Sequence, residues 1–207
     1  LPLIRKELPN QAGIRDASPT DAFSSLTSRN SEERRAAARE FIVTSDNAGV
    51  ISSAIQSEAV DGVLQALFTA LMRSANAASV DVALQYLRSD DARLRTGALD
   101  ALRALQDQLL PRLTGLLSDP EPDVRILACE LVRAQQPSTV IDLLVPLLAN
   151  DCNGNVCGAA IDVMAEVAAP DHVALLLQCA ARFPSDPFLD FAAKTAALRI
   201  GARNAPQ

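Results

Sequence analysis

The stretch Leu117-Ser118-Asp119-Pro120-Glu121-Pro122-Asp123-Val124-Arg125 echoes Leu87-Arg88-Ser89-Asp90-Asp91-Ala92-Arg93-Leu94-Arg95 at an offset of 30 residues. The echo continues downstream, with Ala98 on Ala128, Asp100 on Glu130, Leu102 on Val132 and Arg103 on Arg133. A fixed period of this length marks a repeat architecture, in which each unit buries its apolar face only against its neighbours. Backwards at an offset of 61, Leu26, Arg34, Ala37 and Phe41 fall on Leu87, Arg95, Ala98 and Leu102. Forwards at 32, Val156, Ala160, Asp162 and Met164 fall on Val124, Ala128, Glu130 and Val132. The two extra residues lie around Asn153-Gly154-Asn155, at a turn, where such arrays accept insertions.

Within a unit the apolar spacing is helical, as in Val82, Ala83, Leu84, Tyr86 and Leu87 followed by Ala98, Leu99, Ala101, Leu102 and Leu105. Turns fall between the runs. Ser89-Asp90-Asp91, Asp119-Pro120-Glu121-Pro122 and Pro184-Ser185-Asp186-Pro187 each stop one helix and open the next with proline and acidic residues. The reading is an all-α fold of about six helix pairs, over 19–44, 46–74, 78–105, 107–135, 137–168 and 170–200. Composition agrees: 49% of the chain is hydrophobic but only 3% aromatic. Ala and Leu dominate, which suits helices packed closely on helices.

Residues 1–18 carry Pro2 and Pro9, miss the period, and read as an N-terminal arm or cap. Ser18-Pro19 then opens the first helix, with Ser18 as N-cap. The solenoid spans 19–200, and 201–207 reads as a frayed tail.

The formal charge is −6, and lysine occurs only at Lys6 and Lys194. A nucleic-acid footprint needs a concentrated excess of positive charge, so nucleic acid is not the expected partner. The best apolar run, Val140 to Ala149, is interrupted by Asp142 and Pro146 and falls short of the roughly 20 residues a membrane helix needs. No membrane partner is expected, and the chain reads as a soluble, cytoplasmic, bacterial protein.

The block Leu117, Asp119, Val124, Arg125 and Ala128 resembles the HEAT repeat, and the period near 30 is similar to its short prokaryotic, bilin-lyase-type form. The resemblance covers about residues 20 to 200. It implies a right-handed α-α superhelix, a HEAT-like solenoid. It also implies structural duty for Arg34, Arg95, Asp119 and Arg125: the Asp caps the second helix of a unit, and the Arg reaches a neighbouring turn's acid or carbonyl. The second unit lacks the Arg, and the fifth holds Cys157 or its neighbour there.

HEAT-like chains serve as scaffolds, chromophore lyases, DNA glycosylases and di-iron hydroxylases, so family likeness leaves function open. The hydroxylases carry repeated His-Glu pairs, whereas this chain has the single His172. The glycosylases present a basic, aromatic face, which is not visible here. The chain holds no Gly-rich phosphate loop and no Ser-His-Asp set.

Four cysteines remain: Cys129, Cys152, Cys157 and Cys179. Cys152 and Cys157 are spaced C-x₄-C, which admits a redox pair or part of a metal site. One cysteine pair and one histidine fall short of four zinc ligands, so no metal and no cofactor are expected. Phe183, Phe188 and Phe191 read as a plug closing the last repeat's core, the alternative being an exposed anchor for a partner.

The resemblance places second helices along a concave face, where equivalent positions form columns. Asp100, Glu130 and Asp162 make an acidic column, and Arg103 and Arg133 stand beside it. These five residues are the candidate partner-binding site, suited to a protein with a basic or mixed-charge patch. The alternative is that each acid pairs with the Arg three residues later on its own helix. The expected role is a non-enzymatic scaffold or adaptor. The other readings are a bilin lyase or related cofactor-handling subunit, and a Cys-based redox or metal-binding module.

Overall fold

The computed structural model describes residues 24–204. The arm or cap expected over 1–18 and the helix start at Ser18-Pro19 lie outside the described residues. Among the described residues there is no strand. The helices are α1 (Ser31–Glu40), α2 (Ala48–Ser57), α3 (Asp61–Ser74), α4 (Ala77–Leu84), α5 (Ala92–Ala104) and α6 (Gln106–Leu117). They continue with α7 (Pro122–Val132), α8 (Pro137–Asn150), α9 (Gly154–Val167), α10 (Val173–Ala181) and α11 (Pro187–Arg203), a 3₁₀ turn at Pro170–His172 preceding α10.

The helices start where local chemistry directs. Asn30, Asn76, Asp91, Asn153 and Asp186 accept backbone N–H groups of the first turns of α1, α4, α5, α9 and α11. Pro122, Pro137 and Pro187 occupy first helical positions, where no N–H is needed. Ala75 ends α3 in the left-handed region at φ 45°, a position glycine fills without strain.

Packing follows the period and yields two layers. The second helices α1, α3, α5, α7, α9 and α11 touch in succession, and so do the first helices α2, α4, α6, α8 and α10. Ala98, Ala128, Ala160 and Ala193 stand at matching turns of α5, α7, α9 and α11 and are fully buried. A methyl side chain there lets neighbouring helices approach, and larger groups such as Leu102, Val132 and Met164 fill the space one turn on. The result is an all-α solenoid.

Two expectations change at the C-terminal end. α11 runs to Arg203 instead of fraying from Gly201, because the Arg203 guanidinium donates to the carbonyls of Ala165, Glu166 and Ala168 at the end of α9. Those orphan carbonyls need donors, and Arg203 supplies them. Phe188 and Phe191 do not plug the core: they are 84% and 71% exposed, and Leu198 shares their exposure. Only Phe183 is packed against the core.

Candidate functional site

A turn residue precedes each of α1, α3, α5, α7 and α9 and accepts the backbone N–H two residues ahead. The pairs are Ser28 with Asn30 (3.1 Å), Glu58 with Val60 (2.8 Å), Ser89 with Asp91 (3.2 Å), Asp119 with Glu121 (3.0 Å) and Asp151 with Asn153 (2.8 Å). Six residues after each turn residue stand Arg34, Leu64, Arg95, Arg125 and Cys157. Each Arg donates through Nη1 to the carbonyl six residues back: Ser28 at 2.8 Å, Ser89 at 2.5 Å and Asp119 at 2.8 Å. Cys157 keeps the register, its Sγ lying 3.6 Å from the Asp151 carbonyl.

The two remaining nitrogens decide how units are joined. Arg34 binds Glu58 of the next turn in bidentate fashion, at 2.7 and 2.9 Å. Arg125 binds Asp151 in the same way, at 2.7 and 3.0 Å. Such fork geometry is the strong form of an ion pair, and here both pairs are largely buried. The Arg34 hydrogen bonds hold the Glu58 carboxyl below the usual carboxylate range, against the opposing effect of burial.

Arg95 departs from this scheme. The matching acid is Asp119, but Arg88 from the turn between α4 and α5 takes it, leaving Arg95 on its own turn's carbonyl. Asp119 also does not cap α7 as expected. The N-cap of α7 is Glu121, and Asp119 closes the turn before it, in the same register as Ser28, Ser89 and Asp151 before their N-caps.

The candidate partner-binding residues come together on α5, α7 and α9. Arg103 reaches Asp100 at 3.3 Å and Glu130 at 3.9 Å. Arg133 reaches Glu130 at 3.2 Å and Asp162 at 2.7 Å, and it also contacts Glu166. Asp100 and Glu130 each pair with the Arg three residues later, as in the alternative reading, and each Arg also bridges to the next helix, so the column and its Arg neighbours form a ribbon of alternating sign. Exposed pairs of this kind contribute about 0–1 kcal/mol each, so the ribbon adds little to stability.

Asp100 also borders a groove of about 640 Å³ between α3 and α5. Leu64, Phe68 and Met72 supply its apolar wall, and Asp61 and Arg93 its rim. Gly97 makes the wall possible: a Cβ there would meet the Phe68 ring at 2.3 Å. Nothing in the periodicity marked this groove, since Leu64 reads as a mere lapse from the Arg pattern.

The cysteines are arranged differently from the expected C-x₄-C pair. Cys152 is exposed, ahead of the Asn153 cap, whereas Cys157 is buried inside the first turn of α9. Cys157 and Cys179 of α10 share a neighbour, Arg182 Nη2 lying 3.8 Å from the first sulfur and 3.6 Å from the second. Cys129 is buried alone, and burial pushes its thiol up to about 12. Among the described residues no group of His, Cys, Asp and Glu has a metal-holding arrangement. No helix among them is long and apolar enough to cross a membrane.

The two-layer array and its Arg-to-turn ties define a helical-repeat protein. Residues 109–199 match the family model of HEAT repeats. No curated protein matches the chain. Among solved structures, one engineered protein is 18% identical, covering 89% of this chain and 96% of that one at a TM-score of 0.41. A second engineered protein is 19% identical, covering 89% and 99% at 0.40. The complex of CpcE and CpcF of phycocyanin lyase from Nostoc sp. is 14% identical, covering 96% and 100% at 0.36.

Proposed function

We propose that the protein is a non-enzymatic scaffold that holds a protein partner against its second-helix layer. One observation carries the reading: the charged ribbon from Asp100 to Glu166 adjoins the Leu64, Phe68 and Met72 groove through the shared Asp100. A surface that alternates in sign and ends in an apolar slot suits a partner with mixed charge and a protruding apolar side chain. The α3–α5 joint that holds the groove packs more closely than the joints of the other layer, which supports placing it on the inner curve, although the α5–α7 joint within the ribbon does not share this closeness.

The test is affinity capture from the native organism, with the intact chain and two variants as bait. Glu130→Lys places a third positive charge between Arg103 and Arg133, and Met72→Glu spoils the groove. Each variant is expected to lose the partner that the parent retains, with unchanged far-UV circular dichroism and melting. Equal capture by the parent and both folded variants sinks the scaffold reading for this face. Pigmentation on co-expression with a bilin replaces it with a cofactor-handling one.

A further inference from the structure

We propose that Cys157 and Cys179 form a peroxide-responsive dithiol that closes to a disulfide between α9 and α10. The pair is set apart from the partner-binding face and uses groups that the repeat scheme leaves spare. Cys157 stands where three other units place Arg, so no guanidinium arrives from its own helix. Arg182 arrives instead from the end of α10. Its Nη1 donates to the Ala149 carbonyl at 2.9 Å and its Nη2 to the Asp151 carbonyl at 2.9 Å. The same Nη2 lies 3.8 Å from the Cys157 sulfur and 3.6 Å from the Cys179 sulfur. Two thiols thus share one cation.

The surroundings assign the roles. The neighbouring Cys157 thiol and the Arg182 guanidinium, 3.6 Å from the Cys179 sulfur, favour the Cys179 thiolate over its neutral form. Both sulfurs are buried, but Arg182, which overlies them, is an exposed residue. The oxidation requires an opening at that side chain wide enough for an oxidant as small as hydrogen peroxide.

The chemistry balances with that oxidant. The Cys179 thiolate attacks one peroxide oxygen, the O–O bond breaks, and hydroxide leaves Cys179 as a sulfenic acid. The Cys157 sulfur then attacks the sulfenic sulfur, the S–O bond breaks, and its thiol proton leaves with the hydroxyl as water. Two thiols are oxidised, one peroxide is reduced, and the released hydroxide takes up the proton lost in forming the thiolate. The bond fastens residues twenty-two positions apart in the chain and staples α10 to α9.

The reduced full chain is treated with hydrogen peroxide and digested without reductant for peptide mass mapping. The expected product joins the Cys157 and Cys179 peptides, lighter by two hydrogens, and dithiothreitol reverses it. The melting temperature rises by about 5 °C on oxidation. Cys152→Ser leaves this response intact, and Cys179→Ser abolishes the shift. Recovery of Cys157 and Cys179 as free thiols, separate oxidation of the two, or a link that requires Cys152 overturns the proposal. Mapping of the parent chain decides the matter even if Cys179→Ser does not fold.

Discussion

Arg125 grips Asp151 with two nitrogens while its third reaches the carbonyl of Asp119, so one side chain ties two consecutive turns of the array together. The guanidinium and the carboxylate side chains are only 12% and 7% exposed. Removing one partner leaves the other charge buried, which costs far more than the intact pair contributes. Arg125→Ala is expected to lower stability by about 3 kcal/mol in urea unfolding. Arg112→Ala breaks the Asp81 pair, whose side chains are about half exposed, and is expected to change stability by no more than about 0.5 kcal/mol. Equal losses from the two variants contradict the assignment.

Acid should loosen the first joint in the same way. Glu58 has its carboxyl pKa depressed by Arg34, so its stabilising contribution is complete above the unfolded-state value and is lost as pH falls through the folded-state value. Urea midpoints are expected to fall as pH drops below about 5, and Glu58→Gln to flatten part of that slope. An unchanged slope in the variant removes the pair from the explanation.

Glycine substitutions should have opposite signs at two helical sites. At Gly97 an added methyl group strikes the buried Phe68 ring, which is itself held edge-on against Tyr86. Overpacking outweighs the gain in helix propensity, and Gly97→Ala is expected to destabilise by about 1–3 kcal/mol. At Gly115 the space is open, and Gly115→Ala is expected to stabilise by about 0.5–1 kcal/mol. Thermal melts of both variants check the pair of signs.

Phe188 and Phe191 should be dispensable to the fold. Phe188→Ser with Phe191→Ser is expected to reduce binding of a hydrophobic dye while shifting stability by less than about 1 kcal/mol. A large loss of stability restores the core-plug reading.

The repeat was legible wherever a unit kept its Asp and Arg, as around Asp119 and Arg125, because those residues recur at the spacing that makes them spatial neighbours. Glu58 and Asp151 were not legible as partners of Arg34 and Arg125. They lie in the following turn, and their role shows only once two turns are seen side by side. The ribbon's members were identifiable by counting, but its alternating sign depends on how far Arg103 and Arg133 reach across to the next helix. Cys179 was hidden for a different reason: Cys152 is closer in sequence to Cys157, but the Asn153 cap turns the chain between them. The exposure of Phe188 and Phe191 follows from the absence of a further helix beside α11 among the described residues, which local spacing does not encode.

The apolar stripe of Phe188, Phe191 and Leu198 has a practical meaning for anyone rebuilding this molecule. An extra helix pair grafted after Arg203 would have to bury these three side chains, so its facing helix is the part of such a graft that needs design.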